Sequence, residues 1–320
     1  MIRSMLLLLG AAALVCAGSE TQASCGSAFC IVNTSWNVQG AWTEPGARFD
    51  LRFEYIDQDQ PRAGSDKVAV GQVPQHHDEV RTINRNWLAT FDYTFSGKWG
   101  VSATLPLIDR NHEHIHSHMG QQLLETWNFT EPGDMRIVGR RQWQSESREA
   151  QHLDFFGVNF GLKLPTGDTK VRNDDGDLAE RSLQPGTGTT DLILGAYYTR
   201  MLGSGSSWFA DLLAQQPLNS HDNFKPGLQV GFDVGYRYGI SDRLTLMIQL
   251  NALYKERDKG SEAEPDDSGG KFVFVSPGLS YVIMKNVQVY SFLQLPIYQY
   301  VNGVQLTADW AAVAGISARF

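Results

Sequence analysis

The chain has 320 residues, a formal net charge of −8, 42% hydrophobic residues and a mean hydropathy of −0.28. Beyond its first two dozen residues no run reaches the roughly 18 apolar residues of a membrane-crossing helix. A mature chain this polar can be integral to a membrane only as a β-barrel, whose strands alternate lipid-facing and lumen-facing side chains. The acidic balance excludes nucleic acid as a partner and argues against anionic lipid as the main one.

The N-terminus reads as a secretory signal over residues 1–23. Arg3 supplies a positive start, Met5 to Ala17 an apolar stretch too short to span a bilayer, and Thr21-Gln22-Ala23 small residues for cleavage after Ala23. Residues 24–47 form a periplasmic or lumenal segment, and 48–320 the barrel. Cys25 and Cys30 are close in sequence, and in an oxidising periplasm they pair most simply with each other.

From residue 48 onward, period-two segments of nine to thirteen residues follow one another. Twelve are predicted: 48–57, 85–95, 99–107, 134–143, 153–165, 190–200, 207–216, 227–238, 243–254, 271–281, 286–297 and 309–320. In the first, Phe49, Leu51, Phe53 and Tyr55 alternate with Asp50, Arg52 and Glu54; in the fifth, Phe156, Val158, Phe160 and Leu162 alternate with Gly157, Asn159, Gly161 and Lys163. The connections alternate in length. Residues 58–84, 108–133, 166–189, 217–226, 255–270 and 298–308 are long, and the connections between them are short and turn-like. An outer-membrane barrel has this parity, with long loops outside and short turns in the periplasm. The fold class is therefore all-β: a closed antiparallel transmembrane barrel of about twelve strands.

The last strand, Trp310 to Phe320, places Trp310, Ala312, Ala314, Ile316, Ala318 and Phe320 on one face. This resembles the C-terminal signature of Gram-negative outer-membrane barrels, which implies Phe320 as the residue read by the barrel-assembly machinery. The segments LKLPTGDT (162–169), LQPGTGTTDLILGAYY (183–198), VSPGLSY (275–281) and LQLPIYQYVNGVQL (293–306) resemble the outer-membrane transporter family assigned to the MetA pathway of phenol degradation. The resemblance implies a β-barrel that passes small organic, aromatic molecules. The motifs contain no catalytic set and have structural readings of their own: Pro165 as a strand end, Gly186 and Gly188 as a re-entry turn, Pro277 as a bulge or kink.

One tract carries sharper chemistry. His112, His114, His116 and His118 alternate, so an extended backbone puts four imidazoles on one face, where neighbours could share Zn, Cu or Ni. This makes the second extracellular loop a candidate metal site, with His76 and His77 in the first loop as further candidates; a solvated polar loop whose histidines tune charge between pH 5 and 8 is the alternative. The acidic segments 173–177 and 262–267 could meet lipopolysaccharide through divalent cations, although a solvated loop explains them as well. Asp50, Arg52, Glu54, Arg136, Arg140, Lys163, Asp211, Asp233 and Arg237 are expected to line the lumen. No Ser, His and acid combine into a hydrolase motif, so no enzymatic activity is expected. The reading is a Gram-negative outer-membrane channel or transporter, exported through the periplasm, with lipid, lipopolysaccharide and a small-molecule substrate as partners. A non-transporting surface-binding or structural barrel is the alternative.

Overall fold

The computed structural model describes residues 45–73, 78–118, 121–147, 152–202 and 205–320. The expected signal segment, the Cys25–Cys30 pair, His76 and His77 lie outside the described residues. Among the described residues there are fourteen strands: β1 (Gly46–Ala63), β2 (Asp66–Lys67), β3 (Asp78–Ser96), β4 (Trp99–His118), β5 (Gln121–Pro132), β6 (Arg136–Ser147), β7 (His152–Lys163), β8 (Asp191–Leu202), β9 (Ser207–Pro217), β10 (Gln229–Gly239), β11 (Leu244–Lys255), β12 (Gly270–Met284), β13 (Val287–Val301) and β14 (Val304–Arg319). Twelve of them form the wall, each antiparallel to its neighbours, in the order β1, β3, β4, β6 and then β7 to β14. β14 closes on β1 in a ladder from Arg48↔Arg319 to Ala63↔Val304, with irregularities between Ile56 and Gln60.

The two faces follow the alternation. Phe49, Phe91, Phe160, Leu194, Ile248 and Ile316 are exposed on the outer face, whereas Asp50, Glu54, Asp92, Lys163, Asp233, Gln249 and Ser317 are buried on the inner one. A side chain on the outer face needs only to match hydrocarbon, whereas the inner face must satisfy polar groups or pack them away.

Three of the expected long loops are largely strand. β1 and β3 carry the wall well beyond a membrane crossing, at 18 and 19 residues, and β13 and β14 continue to a tight turn at Asn302-Gly303. Residues 108–133 form a hairpin. The outer half of β4 pairs with β5 from Leu107↔Pro132 to His118↔Gln121, while its inner half pairs with β6 from Trp99↔Arg141 to Thr104↔Arg136. β5 and β6 are thus one descending strand interrupted at Gly133-Asp134-Met135. One side of the barrel is tall. On the other side the outer connections 164–190, 218–228 and 256–269 are almost wholly irregular. The bulge expected at Pro277 sits elsewhere: the β12–β13 register resumes unchanged at Gly278↔Phe292 and shifts instead between Val273↔Tyr298 and Phe274↔Pro296, where Ile297 is the extra residue.

The facing assignment makes a depth prediction. Ile248, mid-strand on β11, and Ile240, in a short turn, are equally exposed at 50% and 52%. Ile248→Arg should cost about 2–4 kcal/mol and Ile240→Arg about 0–1 kcal/mol, measured by denaturant unfolding in lipid vesicles. Equal costs would mean that β11 does not present Ile248 to lipid.

Candidate functional site: a lined lumen under an inward-folded loop

The nine residues expected to line the lumen all lie on the inner face, but they do different things there. Near the short-turn end, Arg140 donates to Asp92 (3.1 Å) and to Thr94 (2.9 Å), and Arg48 approaches the same Asp92 carboxylate at 4.0 Å. Arg52 pairs with Glu54 at 2.7 Å, and the Tyr290 hydroxyl donates to Asp50 at 2.9 Å. Arg136, beside Arg140 in alternation on β6, lies within the electrostatic reach of Asp134, Asp191 and Glu54. Asp211 and Asp233 are partners across the β9–β10 ladder, and Asn251 donates to Asp233 at 2.8 Å. β9 stands six strands from β1 in either direction round the wall, so the aspartate pair faces the β1 arginines across the lumen. Arg237 lies further down β10, on the same inner face.

Sequence reasoning missed an apolar lining. Ile56, Met247, Tyr290, Phe292, Ala308, Ala311 and Val313 form a buried cluster on the inner face, and Phe272, Phe274 and Val301 another. The signal was present as a loss of alternation: β12 and β13 are apolar on both faces, as in Phe272-Val273-Phe274-Val275. Inward glycines receive Phe292 and Tyr290, at Gly278 and Gly315, and likewise two rings outside these clusters. A Cβ on Gly235 would fall 2.3 Å from the Phe209 ring, and one on Gly157 would fall 2.2 Å from that of Tyr197. Each ring therefore lies over a glycine of the adjacent strand instead of projecting into the lumen.

At the outer end, the connection 164–190 folds inward. Arg110 on β4 donates to the Leu183 carbonyl (2.5 Å) and to Asn84 on β3 (2.7 Å). Ala179 and Leu183 pack on Trp127 of β5, whose indole N–H reaches the Asp177 carbonyl at 3.2 Å. Asp134, in the β5–β6 interruption, accepts from the backbone N–H of Gly167 (3.0 Å) and of Thr187 (2.9 Å), fastening both legs of the loop. Gly167 and Gly186 lie so close that a Cβ on either would strike the backbone of the other. Lys163 sits between Asp134 (2.7 Å) and Asp191 (3.3 Å) and also reaches Thr187 and Thr189. Asp134, Thr187, Thr189 and Asp191 escaped sequence reasoning because their contacts span 24 to 53 residues along the chain.

The histidine tract is strand rather than loop. His112 and His114 are buried on the inner face of β4, where they form a hydrogen-bonded chain: Thr82 Oγ1 to His112 Nδ1 (2.8 Å), His112 Nε2 to His114 Nδ1 (3.3 Å), and His114 Nε2 to Glu125 (3.1 Å). Trp127 stacks obliquely against His114, with 4.8 Å between ring centroids. His116 and His118 continue β4. Among the described residues, no group of three His, Cys, Asp or Glu is placed to hold a metal.

The chain matches, over residues 59–304, the family described as "Putative MetA-pathway of phenol degradation". It belongs to that family. The family resemblance seen in segments 162–169 and 183–198 thus falls on the loop anchor, where Lys163 from the first meets Thr187, Thr189 and Asp191 from the second. Among solved structures, the chain is similar to an outer membrane channel from Pseudomonas putida F1, with 13% identity and a TM-score of 0.66 over 90% of this chain and 100% of that one. A mutant of the TodX monoaromatic hydrocarbon channel aligns at 12% identity and TM-score 0.46 over 87% of this chain and 91% of that one, and the KdgM porin at 11% and 0.43 over 85% and 99%. No curated protein matches the chain in sequence. The fold is that of an outer-membrane β-barrel.

The loop has a pH-dependent fastening. Burial, then the negative charge of Glu264, holds the Glu180 carboxyl well above the usual carboxylate range, and burial pushes Glu264 up to about 7. Glu79 and Asp267 add further negative charge. A raised carboxyl favours the packed state while protonated, so this contribution is full below about pH 4.5 and is lost as pH rises through about 7. Amide exchange across 174–187 should accelerate between pH 5 and pH 9, after correction for the intrinsic rate, and Glu180→Gln should suppress that acceleration. Unchanged protection across the range would remove the pair from the loop's fastening. Lys163→Met, which leaves Asp134 and Asp191 buried without their cation, should cost roughly 3–5 kcal/mol in equilibrium unfolding.

Proposed function

We propose that the protein is a Gram-negative outer-membrane channel for small organic molecules of aromatic character. The observation that carries this reading is the aromatic and aliphatic strip on the inner face of β11 to β14. A barrel that conducts only water and ions gains nothing from turning Tyr290, Phe292, Phe272 and Phe274 inward. These side chains are packed together and almost wholly covered, so a planar, weakly polar solute would gain contact on that strip by parting them, with the paired charges of β1 beside it. Family membership and the likeness to an outer membrane channel support the same reading. The inward-folded 164–190 loop fits a constriction at the outer mouth.

Single-channel recording in a planar bilayer tests the channel itself: discrete steps support it, and silence from correctly folded barrel counts against it. Uptake into proteoliposomes should favour phenol over a polyol of similar size. The rings over the glycines provide a sharper test. Gly235→Ala must shift the Phe209 ring from its place against the wall, toward the lumen interior. Conductance should fall in Gly235→Ala and recover when Phe209→Ala is added. Equal conductance in all three proteins would place the permeation path elsewhere.

A further inference from the structure

We infer that Arg141, on the outer face of the barrel, binds the phosphate of a phospholipid in the periplasmic leaflet. Arg141 belongs to the lipid-facing set of β6, alternating with the inward Arg140 and Gln142. It lies opposite Trp99 across the β4–β6 ladder, next to the short turn at Gly97-Lys98, which the topology puts in the periplasm. Its guanidinium carbon sits 4.5 Å from the Trp99 ring centroid and 5.5 Å from that of Trp143, and both indoles are exposed.

Other outward arginines differ in one respect. Arg81 donates to Asp57 at 2.8 Å, Arg85 to Asp109 at 3.0 Å, and Arg200 to Asp154 at 2.8 and 2.9 Å. Arg141 has no carboxylate partner among the described residues. It is a cation held in the aromatic girdle by two rings, with its donors uncommitted among the described residues. An arginine that merely reached for water would have no need of two rings, whereas two cation–π contacts hold the fork at the membrane interface. The ligand that fits is an anion with two oxygens at headgroup depth, which a guanidinium binds bidentately. Lys98, in the adjoining turn, adds a second positive charge. Above Arg141 the outer face continues as Gly139 and Ile137 on β6, beside Val158, Phe160 and Leu162 on β7, an apolar track toward mid-membrane for an acyl chain. Phe160 stands edge-on to Trp99 and covers Gly139, which leaves that track smooth.

The test is lipid retention by the purified, folded full-length barrel, read by native mass spectrometry during titration with short-chain phosphatidylglycerol. Diacylglycerol of the same chain length serves as the phosphate-free comparison. Wild type should retain phosphatidylglycerol at least about tenfold more strongly than R141Q, while diacylglycerol should not distinguish the two. R141K, which keeps charge but not the planar fork, should fall between them. R85Q, which disrupts a paired outward arginine, should behave as wild type. If R141Q fails to fold, Trp143→Leu removes one of the two rings and should also lower retention. Equal phosphatidylglycerol retention by wild type and R141Q, or by wild type and Trp143→Leu, would overturn the site. Tighter binding of lipid A than of phosphatidylglycerol at Arg141 would overturn its assignment to the periplasmic leaflet.

Discussion

Everything in this molecule depends on the ladder between β1 and β14. In hydrocarbon no backbone N–H or C=O can turn to water, so an open sheet edge inside the bilayer would leave a row of unmet hydrogen bonds. Pairing the first wall strand with the last removes both edges at once, over a register that runs from Arg48↔Arg319 to Ala63↔Val304. Closure also fixes the alternation. Once β14 is locked to β1, Ile316 and Phe49 must face lipid and Ser317 and Asp50 must face inward, because a slip of one residue would exchange the two sets.

A closed wall creates a lumen, and the polar groups that face it have to be satisfied. The charges are dealt with along the wall. Arg140 meets Asp92, Arg52 meets Glu54, and Lys163 lies between Asp134 and Asp191. Arg52 is thereby held along its own strand and Lys163 between the elements flanking β7, while Arg140 lies over Gly100 of β4 to reach β3. The rings are handled in the same way. Phe209 and Tyr197 lie over Gly235 and Gly157, so residues large enough to block a narrow barrel are laid along its inner surface. The acidic pair Asp211 and Asp233 is left facing the arginines of β1 across the lumen.

The sequence carried the outer face well and the inner face poorly, for one reason. Lipid demands apolar residues at every second position, and the period-two signal that located all twelve wall strands is the imprint of that demand. The lumen makes no such demand. On β10 and β11 it holds Asp233, Gln249 and Asn251, and the alternation is sharp; on β12 and β13 it holds Phe272, Phe274, Tyr290 and Phe292, and the pattern merges into an apolar run from which no inner face can be read. The hairpin of β4 and β5 was invisible for a related reason. Above the bilayer a strand needs no apolar outer face, so Asn111, Glu113 and Ser117 gave the stretch the look of a loop. The histidines between them were legible as an alternating set, but their setting was not: Thr82 lies thirty residues earlier and Glu125 eleven residues later than the histidines they contact.

The uneven height of the wall ties these features together. On the tall side, strands β1, β3, β4 and β5 stand clear of the membrane and turn an inner face of their own toward the axis, bearing Asn84, Arg110, His112, His114 and Trp127. On the low side the connection 164–190 has no strand to extend, and its backbone must find partners elsewhere. It finds them across the mouth: Arg110 takes the Leu183 carbonyl, Trp127 the Asp177 carbonyl, and Asp134 the N–H groups of Gly167 and Thr187. A tall polar wall without the loop would expose its buried imidazoles and indole. The loop without the tall wall would have nothing to fold against. The inward fold of this connection is thus a consequence of where β4 continues beyond the bilayer and where β7 stops.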